Sequence, residues 1–213
     1  TSTISRTNGG SFVIGVARNS SPVYYFNGSI DQVRIYSTAL TSSQVTELYE
    51  EKQCYITKDA ADPFGDSSSV ALYEMENNAN DSSGNGNNGT QSNVQFTTTD
   101  PIRGVYEASF NGSSSKIALP NVINFATGEH TISAWVNFTD TSTSRFISNL
   151  YSGTVPNGSI DFVWIPSSNS INIDFSIGGS NYTNTITSVN SNEWIHIVST
   201  FVNNGTCTAY KNG

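Results

Sequence analysis

Residues 131–138 read Thr-Ile-Ser-Ala-Trp-Val-Asn-Phe. Ile132, Ala134, Val136 and Phe138 occupy every second position, with Thr131, Ser133, Trp135 and Asn137 between them. A period of two puts the first set on one face of an extended chain and the second on the other, the pattern of a strand with one face on a core. Similar short runs flank it. Downstream lie 145–150, 160–165, 171–177, 194–202 and 207–210; upstream lie 116–119, 108–110, 70–73, 30–36, 23–26 and 11–17. In 30–36 the apolar set is Ile30, Val33 and Ile35, against polar Gln32 and Arg34. That broken alternation predicts a bend or bulge. Asn111-Gly-Ser reads as a turn between strands, and Lys211-Asn-Gly213 as a hairpin turn with its partner strand not in view. Many short strands separated by turn formers predict an all-β fold.

One helix interrupts the pattern. Thr41-Ser-Ser-Gln44 is a capping box, a hydroxyl followed three residues later by an amide. Val45, Leu48 and Tyr49 follow at helical spacing, and Leu40 is placed to act as the hydrophobic staple, so a short helix is predicted over 42–50. Residues 53–69 read as a linker: Asp62-Pro63, Gly65 and three serines favour coil.

The bulk numbers narrow the function. Charged residues make up 12% of the 213, where an average chain has about 25%. Ser, Thr, Asn and Gly fill the difference, but 11% aromatics supply a core and argue against disorder. The net charge of −8 and pI near 4.5 leave no basic stripe for nucleic acid. Apolar runs fall short of the ~20 residues a membrane span requires, so membrane insertion is not expected. Thr1 to Gly15 lacks a basic-then-apolar leader pattern.

Several stretches together resemble laminin-G-like, concanavalin A-like jelly-roll domains. Phe26-Asn-Gly-Ser-Ile-Asp-Gln-Val-Arg-Ile-Tyr36, Ala39-Leu40 and a capped helix ending Glu47-Leu-Tyr49 look like that family's C-terminal signature. Ala71-Leu-Tyr73 followed by Asn80-Asp-Ser-Ser-Gly-Asn-Gly-Asn-Asn-Gly89 looks like its N-terminal one. Ala108-Ser-Phe-Asn-Gly-Ser-Ser-Ser115, Thr131 to Val136, Trp194-Ile-His-Ile-Val198 and Tyr210-Lys-Asn-Gly213 continue in family order. The implied fold is a two-sheet antiparallel jelly-roll sandwich with one short helix. The signatures stand in inverted order. Residues 1–52 would be the C-terminal part of a module, and 70–213 the N-terminal and central part of the next module, or of the same one permuted. A window on a tandem array, a circular permutation and head-to-tail strand donation between copies all fit.

The resemblance also implies a structural calcium ion. Asp31, on the late signature strand, is the expected ligand, with Asp81 and Asn85 in the signature loop as partners and Gly112 offering a carbonyl; calcium requires six to eight oxygens. Asp31 in a turn and 80–89 as a solvated loop is the plainer alternative. The glycosidases of this fold use closely spaced acids on one strand. Here the acidic clusters are Glu47, Glu50, Glu51 and Glu74, Glu76, while Asp161 and Asp174 stand singly, so no catalytic pair is expected. No Gly-x-Ser-x-Gly elbow occurs, and His130 and His196 lack an evident partner, so a serine hydrolase is not expected either.

Tyr151, Trp164 and Tyr182 lie in polar surroundings and are candidates for a sugar platform; Trp135 and Trp194 are expected in the core. Tyr24 and Tyr25 should point to opposite faces, with at most one buried. Cys54 and Cys207 form one disulfide or remain two separate thiols. Nine Asn-x-Ser/Thr sequons start at Asn19, Asn27, Asn80, Asn88, Asn111, Asn137, Asn157, Asn181 and Asn204. The expected role is non-enzymatic and extracellular. It is that of a structural or adhesive unit of a surface fibre, filament or virion appendage, partnered by copies of the same module and by glycans, with lectin-like binding as the alternative and glycoside hydrolysis on the same fold as a remote one.

Overall fold

The computed structural model describes residues 12–17, 24–51, 62–120, 128–139, 141–149, 158–177, 180–202 and 205–213. Sixteen strands and one α-helix occur among them. The segment before the helix supplies β1 (Phe12–Ile14), β2 (Val16–Ala17), β3 (Tyr24–Tyr25) and β4 (Asn27–Tyr36). After α1 (Ser42–Glu50) come β5 (Ser69–Tyr73), β6 (Thr90–Ser92), β7 (Gln95–Thr97), β8 (Glu107–Asn111) and β9 (Lys116–Leu119). The remainder is β10 (His130–Phe138), β11 (Ser144–Ser148), β12 (Ser159–Ile165), β13 (Ser170–Ile177), β14 (Ser180–Ile186), β15 (Trp194–Phe201) and β16 (Cys207–Lys211).

Two antiparallel sheets face each other. The first runs β14-β13-β12-β11-β1-β9-β6 and the second β16-β15-β10-β4-β8-β7, with β5 also on β4. A small β2–β3 ribbon stands apart. β1 lies between β11 and β9, and β4 between β10 and β8. Both signature-bearing segments therefore build the interior of one sandwich within this chain. The strand order is that of a permuted jelly roll.

The core confirms the period-two reading. Ile132, Ala134, Val136 and Phe138 of β10 all join it, with Phe12 and Ile14 of β1 and Ile160, Phe162 and Trp164 of β12. The irregular strand carries the expected bulge. Ser133 pairs with Arg34 and Trp135 with Asp31, so Gln32 and Val33 together face Ala134 alone, and Gln32 has φ of 49°. The extra residue reverses the alternation. Ile30, Val33 and Ile35 thus all reach the core, while Asp31 and Arg34 turn to the outer face. Gly28 precedes the bulge at φ 149°, where a Cβ would stand 2.1 Å from Asn137 O; only glycine fits this approach of two strands.

The helix lies on the outer face of the second sheet. Thr41 Oγ1 accepts the Gln44 N–H and Gln44 Oε1 accepts the Thr41 N–H, completing the capping box. Leu40 and Val45, the staple pair, bury with Tyr36, Leu48 and Val198 in a second small core. Of the expected linker, 53–61 lie outside the described residues; over 62–68 the chain is turns and bends, with Asp62 accepting the N–H groups of Gly65 and Ser67, and β5 begins at Ser69. The sequence reading missed β6, β7 and β14, whose residues are mostly polar.

Candidate functional site

The Asn/Gly loop and the residues expected to bind calcium hydrogen-bond to backbone. β5 pairs with β4 on one side only. On its other side, Leu72 N–H donates to Asp81 Oδ1 at 3.0 Å. Asn85 Nδ2 donates to Ser69 O (2.9 Å) and Asn87 Nδ2 to Val70 O (2.8 Å). Asp81 also accepts the N–H groups of Ser83 and Asn87, both at 2.9 Å, which folds the loop into the shape that brings these side chains to the strand. Side chains of 81–87 thus stand in for a missing neighbour strand. The loop is polar because its amides and carboxylate pair with backbone.

Asp31 uses the same chemistry in the interior. Its Oδ1 accepts the Gln32 N–H at 2.8 Å, and its Oδ2 accepts Ile102 N–H at 3.0 Å and Arg103 N–H at 3.3 Å. It thereby fixes the bulge and ties the 102–103 loop to β4. Burial pushes its carboxyl up to about 7, against the lowering effect of these three bonds. Asp31 and Asp81 share no partner, and Asn85 meets its neighbours as a donor. Among the described residues no three His, Cys, Asp or Glu side chains converge. Gly112 sits in the β8–β9 turn, its N–H on Phe26 O.

Beside Asp31, under α1, lies a sealed polar cluster. Arg34 pairs with Glu51 at 2.6 Å, and Arg103 reaches the same oxygen at 3.2 Å. Tyr49, Trp135 and His196 stack, with ring centres 5.0–6.0 Å apart. Trp135 is buried, as expected, but beneath the helix rather than between the sheets. His196 has a partner the sequence did not reveal: its Nε2 lies 2.8 Å from Ser133 Oγ. Burial, then the Arg34 charge, push this imidazole down to about 3, so it is neutral at ordinary pH. Serine and base are both 1% exposed, around a cavity of about 10 Å³. That is room for about one water and no substrate.

The first sheet carries the other acids. Asp161 on β12 stands directly across from Asp174 on β13, a pairing invisible while both were single residues on separate strands. Asp161 is bound by Arg145 Nε, and the Arg145 guanidinium lies 4.3 Å above the Tyr24 ring. Burial holds the Asp161 carboxyl up at about 7, against Arg145 and with Asp174 adding to the rise. Asp174 accepts a hydrogen bond from Thr183. Tyr24 and Tyr25 are both half-buried.

At one end of the sandwich the structure opens. Thr141, Ser142 and Thr143 after β10, Pro166, Ser167 and Asn169 between β12 and β13, and Ser191 before β15 line a cleft of about 520 Å³ with Trp164. Among the described residues no charged side chain lines it. The sandwich edge brings these three loops together; sequence distance hid them. The expected aromatic platform is not formed as foreseen. Trp164 is 1% exposed and stacked on Phe138 at 4.7 Å, because its strand position faces the core, so it offers no open ring. Tyr182 is exposed, but on β14 and outside the cleft, and Tyr151 lies outside the described residues. Trp194 is half-buried, its Nε1 donating to Asp100 O. Cys207 is a free, partly buried thiol 3.6 Å from Ser199 Oγ, while Cys54 lies outside the described residues. Of the sequon asparagines, Asn80, Asn88, Asn111 and Asn181 are exposed, Asn27 and Asn137 half-buried, and Asn19, Asn157 and Asn204 outside the described residues.

A two-sheet antiparallel sandwich in this permuted order defines a jelly-roll β-domain. Sequence comparison agrees. Residues 1–46 and 111–213 match the laminin-G family Laminin_G_3, described as the concanavalin A-like lectin/glucanases superfamily, and the chain belongs to that family. No curated protein and no solved structure matches it.

Proposed function

We propose that the chain is a non-catalytic, extracellular adhesive module that holds a neutral carbohydrate in the loop cleft. The cleft itself carries this reading. Its volume falls in the ~300–1,000 Å³ range of ligand sites, and its described lining is hydroxyls, one amide, a proline ring and the edge of Trp164, without charge. Such groups exchange hydrogen bonds with sugar hydroxyls and offer an ionic ligand no opposite charge. Two observations favour binding over turnover: Ser133 and His196 are sealed beneath α1, and Asp161 is committed to Arg145. The charge-poor Ser/Thr/Asn-rich composition supports an exported, exposed setting.

The test is a titration of uncharged oligosaccharides followed by NMR shifts of the cleft residues. Saturable binding is expected, weakened at least tenfold by Ser167→Ala with Asn169→Gly. Glycine is the choice at 169 because Asn169 has φ of 47°. Binding that ignores both substitutions, or shifts confined to other surfaces, would overturn the assignment. Release of reducing ends during the titration would overturn its non-catalytic part.

A further inference from the structure

The free edges of the two sheets are not alike. β6 and β7 are three residues each. β16 has five and ends in Lys211. β5 is covered by the 81–87 side chains. Short length, a lysine and a covering loop are the usual means of keeping an edge from pairing with another chain. Among the described residues β14 has none of them. It ends the first sheet, runs seven residues, and pairs with β13 in unbroken register from Ser180 to Ile186. Its sequence, Ser-Asn-Tyr-Thr-Asn-Thr-Ile, contains no charge, proline or glycine. Residues 180–183 and 185 are exposed. The hydroxyls of Thr183 and Thr185 are turned back onto Asp174 and Asn172 of β13, and Asn184 onto Cys207 O, so these side chains do not cover the strand's own edge.

We propose that β14 is an interface at which a second copy of this chain adds its own β14, antiparallel and centred on Thr183, to make one continuous sheet across two sandwiches. Charge and sequence select a second copy as the occupant. Each chain carries −8, so two copies repel over most surfaces, and β14 is a seven-residue edge without charge. Turned on itself about Thr183, the strand opposes Asn181 to Thr185, Tyr182 to Asn184 and Ser180 to Ile186. No like charges meet. Polar β-formers face polar β-formers, and each edge supplies the donors and acceptors that the other lacks. The contact is isologous, so it closes at two copies and does not propagate.

Sedimentation equilibrium of unglycosylated protein tests this. The mass is expected to rise from 22.9 kDa toward twice that value with concentration. Thr183→Lys and, independently, Asn181→Lys should each weaken association at least tenfold while leaving the far-UV circular dichroism unchanged. In a background lacking Cys54 and Cys207, Thr183→Cys should form a disulfide dimer on oxidation, because the two-fold places the two Cα atoms within the ~4.4–6.8 Å a disulfide spans. Thr97→Cys on β7 should not. A chain that stays monomeric at all concentrations overturns the proposal. So does a dimer that both lysine variants leave intact, or one that cross-links through position 97 rather than 183. Glycan binding in the cleft is a separate readout and survives either result.

Discussion

β5 and β14 are both end strands with one side that no further strand pairs, and the molecule treats them in opposite ways. The open side of β5 is met by Asp81, Asn85 and Asn87, which supply an acceptor to Leu72 and donors to Ser69 and Val70. Among the described residues no such loop bonds to the open side of β14. The contrast explains a composition. An Asn/Gly-dense run needs neither an ion nor a ligand to be useful: its short amides reach backbone, and glycines such as Gly84 and Gly86, at φ 86° and 76°, give the turns that aim them. It also gives the bare edge of β14 meaning, because the same chain has the means to cover an edge and does not use them there.

The contrast breaks most severely at the acids. Asp31 is the interior counterpart of Asp81, each collecting three backbone N–H groups. Asp31→Ala strands three donors in a fully buried place, and a stability loss of about 4 kcal/mol is expected. Asp81→Ala should cost about 3 kcal/mol, since its loop is partly exposed. Urea unfolding measures both. Asp81→Ala should also create a second associating edge at β5, one that Thr183→Lys does not suppress. If Asp81→Ala costs nothing, the loop is not a cover for the strand.

The pH dependence of stability sharpens the account of the interior. Asp31 and Asp161 both sit near 7 in the folded chain against an ordinary 3.8, so the folded state holds their protons longer and stability falls as pH rises from about 4 to 7. His130 and His196 are lowered by burial to about 4 and 3 from an ordinary 6.5, so stability falls as pH drops below 6.5. Two groups of each kind oppose one another between about 4 and 6.5, and the profile there should be nearly flat. His196→Gln removes one imidazole. Its stability should then decline with rising pH by about 1.4 kcal/mol per unit, one proton's worth. A slope of the other sign would place the carboxyls wrongly.

Much of this fold can be read from sequence. Short apolar runs located thirteen of the sixteen strands, because a strand between core and solvent cannot hide its alternation. The broken run at Ile30 to Ile35 foretold the bulge, and the Thr41/Gln44 box foretold the helix. β14 escaped because both its neighbours in the alternation are polar: Thr183 and Thr185 face Asp174 and Asn172, so no apolar face marks it. The site was harder still. Thr143, Asn169 and Ser191 meet only through the sheet order, and the Ser133–His196 and Asp161–Asp174 pairs arise from cross-strand register, which no local pattern encodes. The polar neighbours of Trp164 make it a candidate for a sugar platform, yet its parity with Ile160 and Phe162 puts it in the core.

The smallest expected effect tests the comparison at its root. If the 80–89 loop served an ion, chelation would release Asp81 and loosen β5. Here the Asp81 oxygens already hold three N–H groups at 2.9–3.0 Å, and Asn85 turns its nitrogen, not its oxygen, to the strand. A cation at Asp81 would have to displace donors that have no other acceptor, so little free energy is gained by the exchange. Thermal unfolding in excess EDTA and in millimolar calcium should therefore give the same midpoint to within about 1 °C, which for a chain of this size corresponds to less than ~0.5 kcal/mol. A calcium-dependent rise of several degrees, lost in Asp81→Asn, would mean that the loop's hydrogen bonds are the resting arrangement of an ion site. The cover over β5 would then be conditional on the ion, and the bareness of β14 would no longer set the two edges apart.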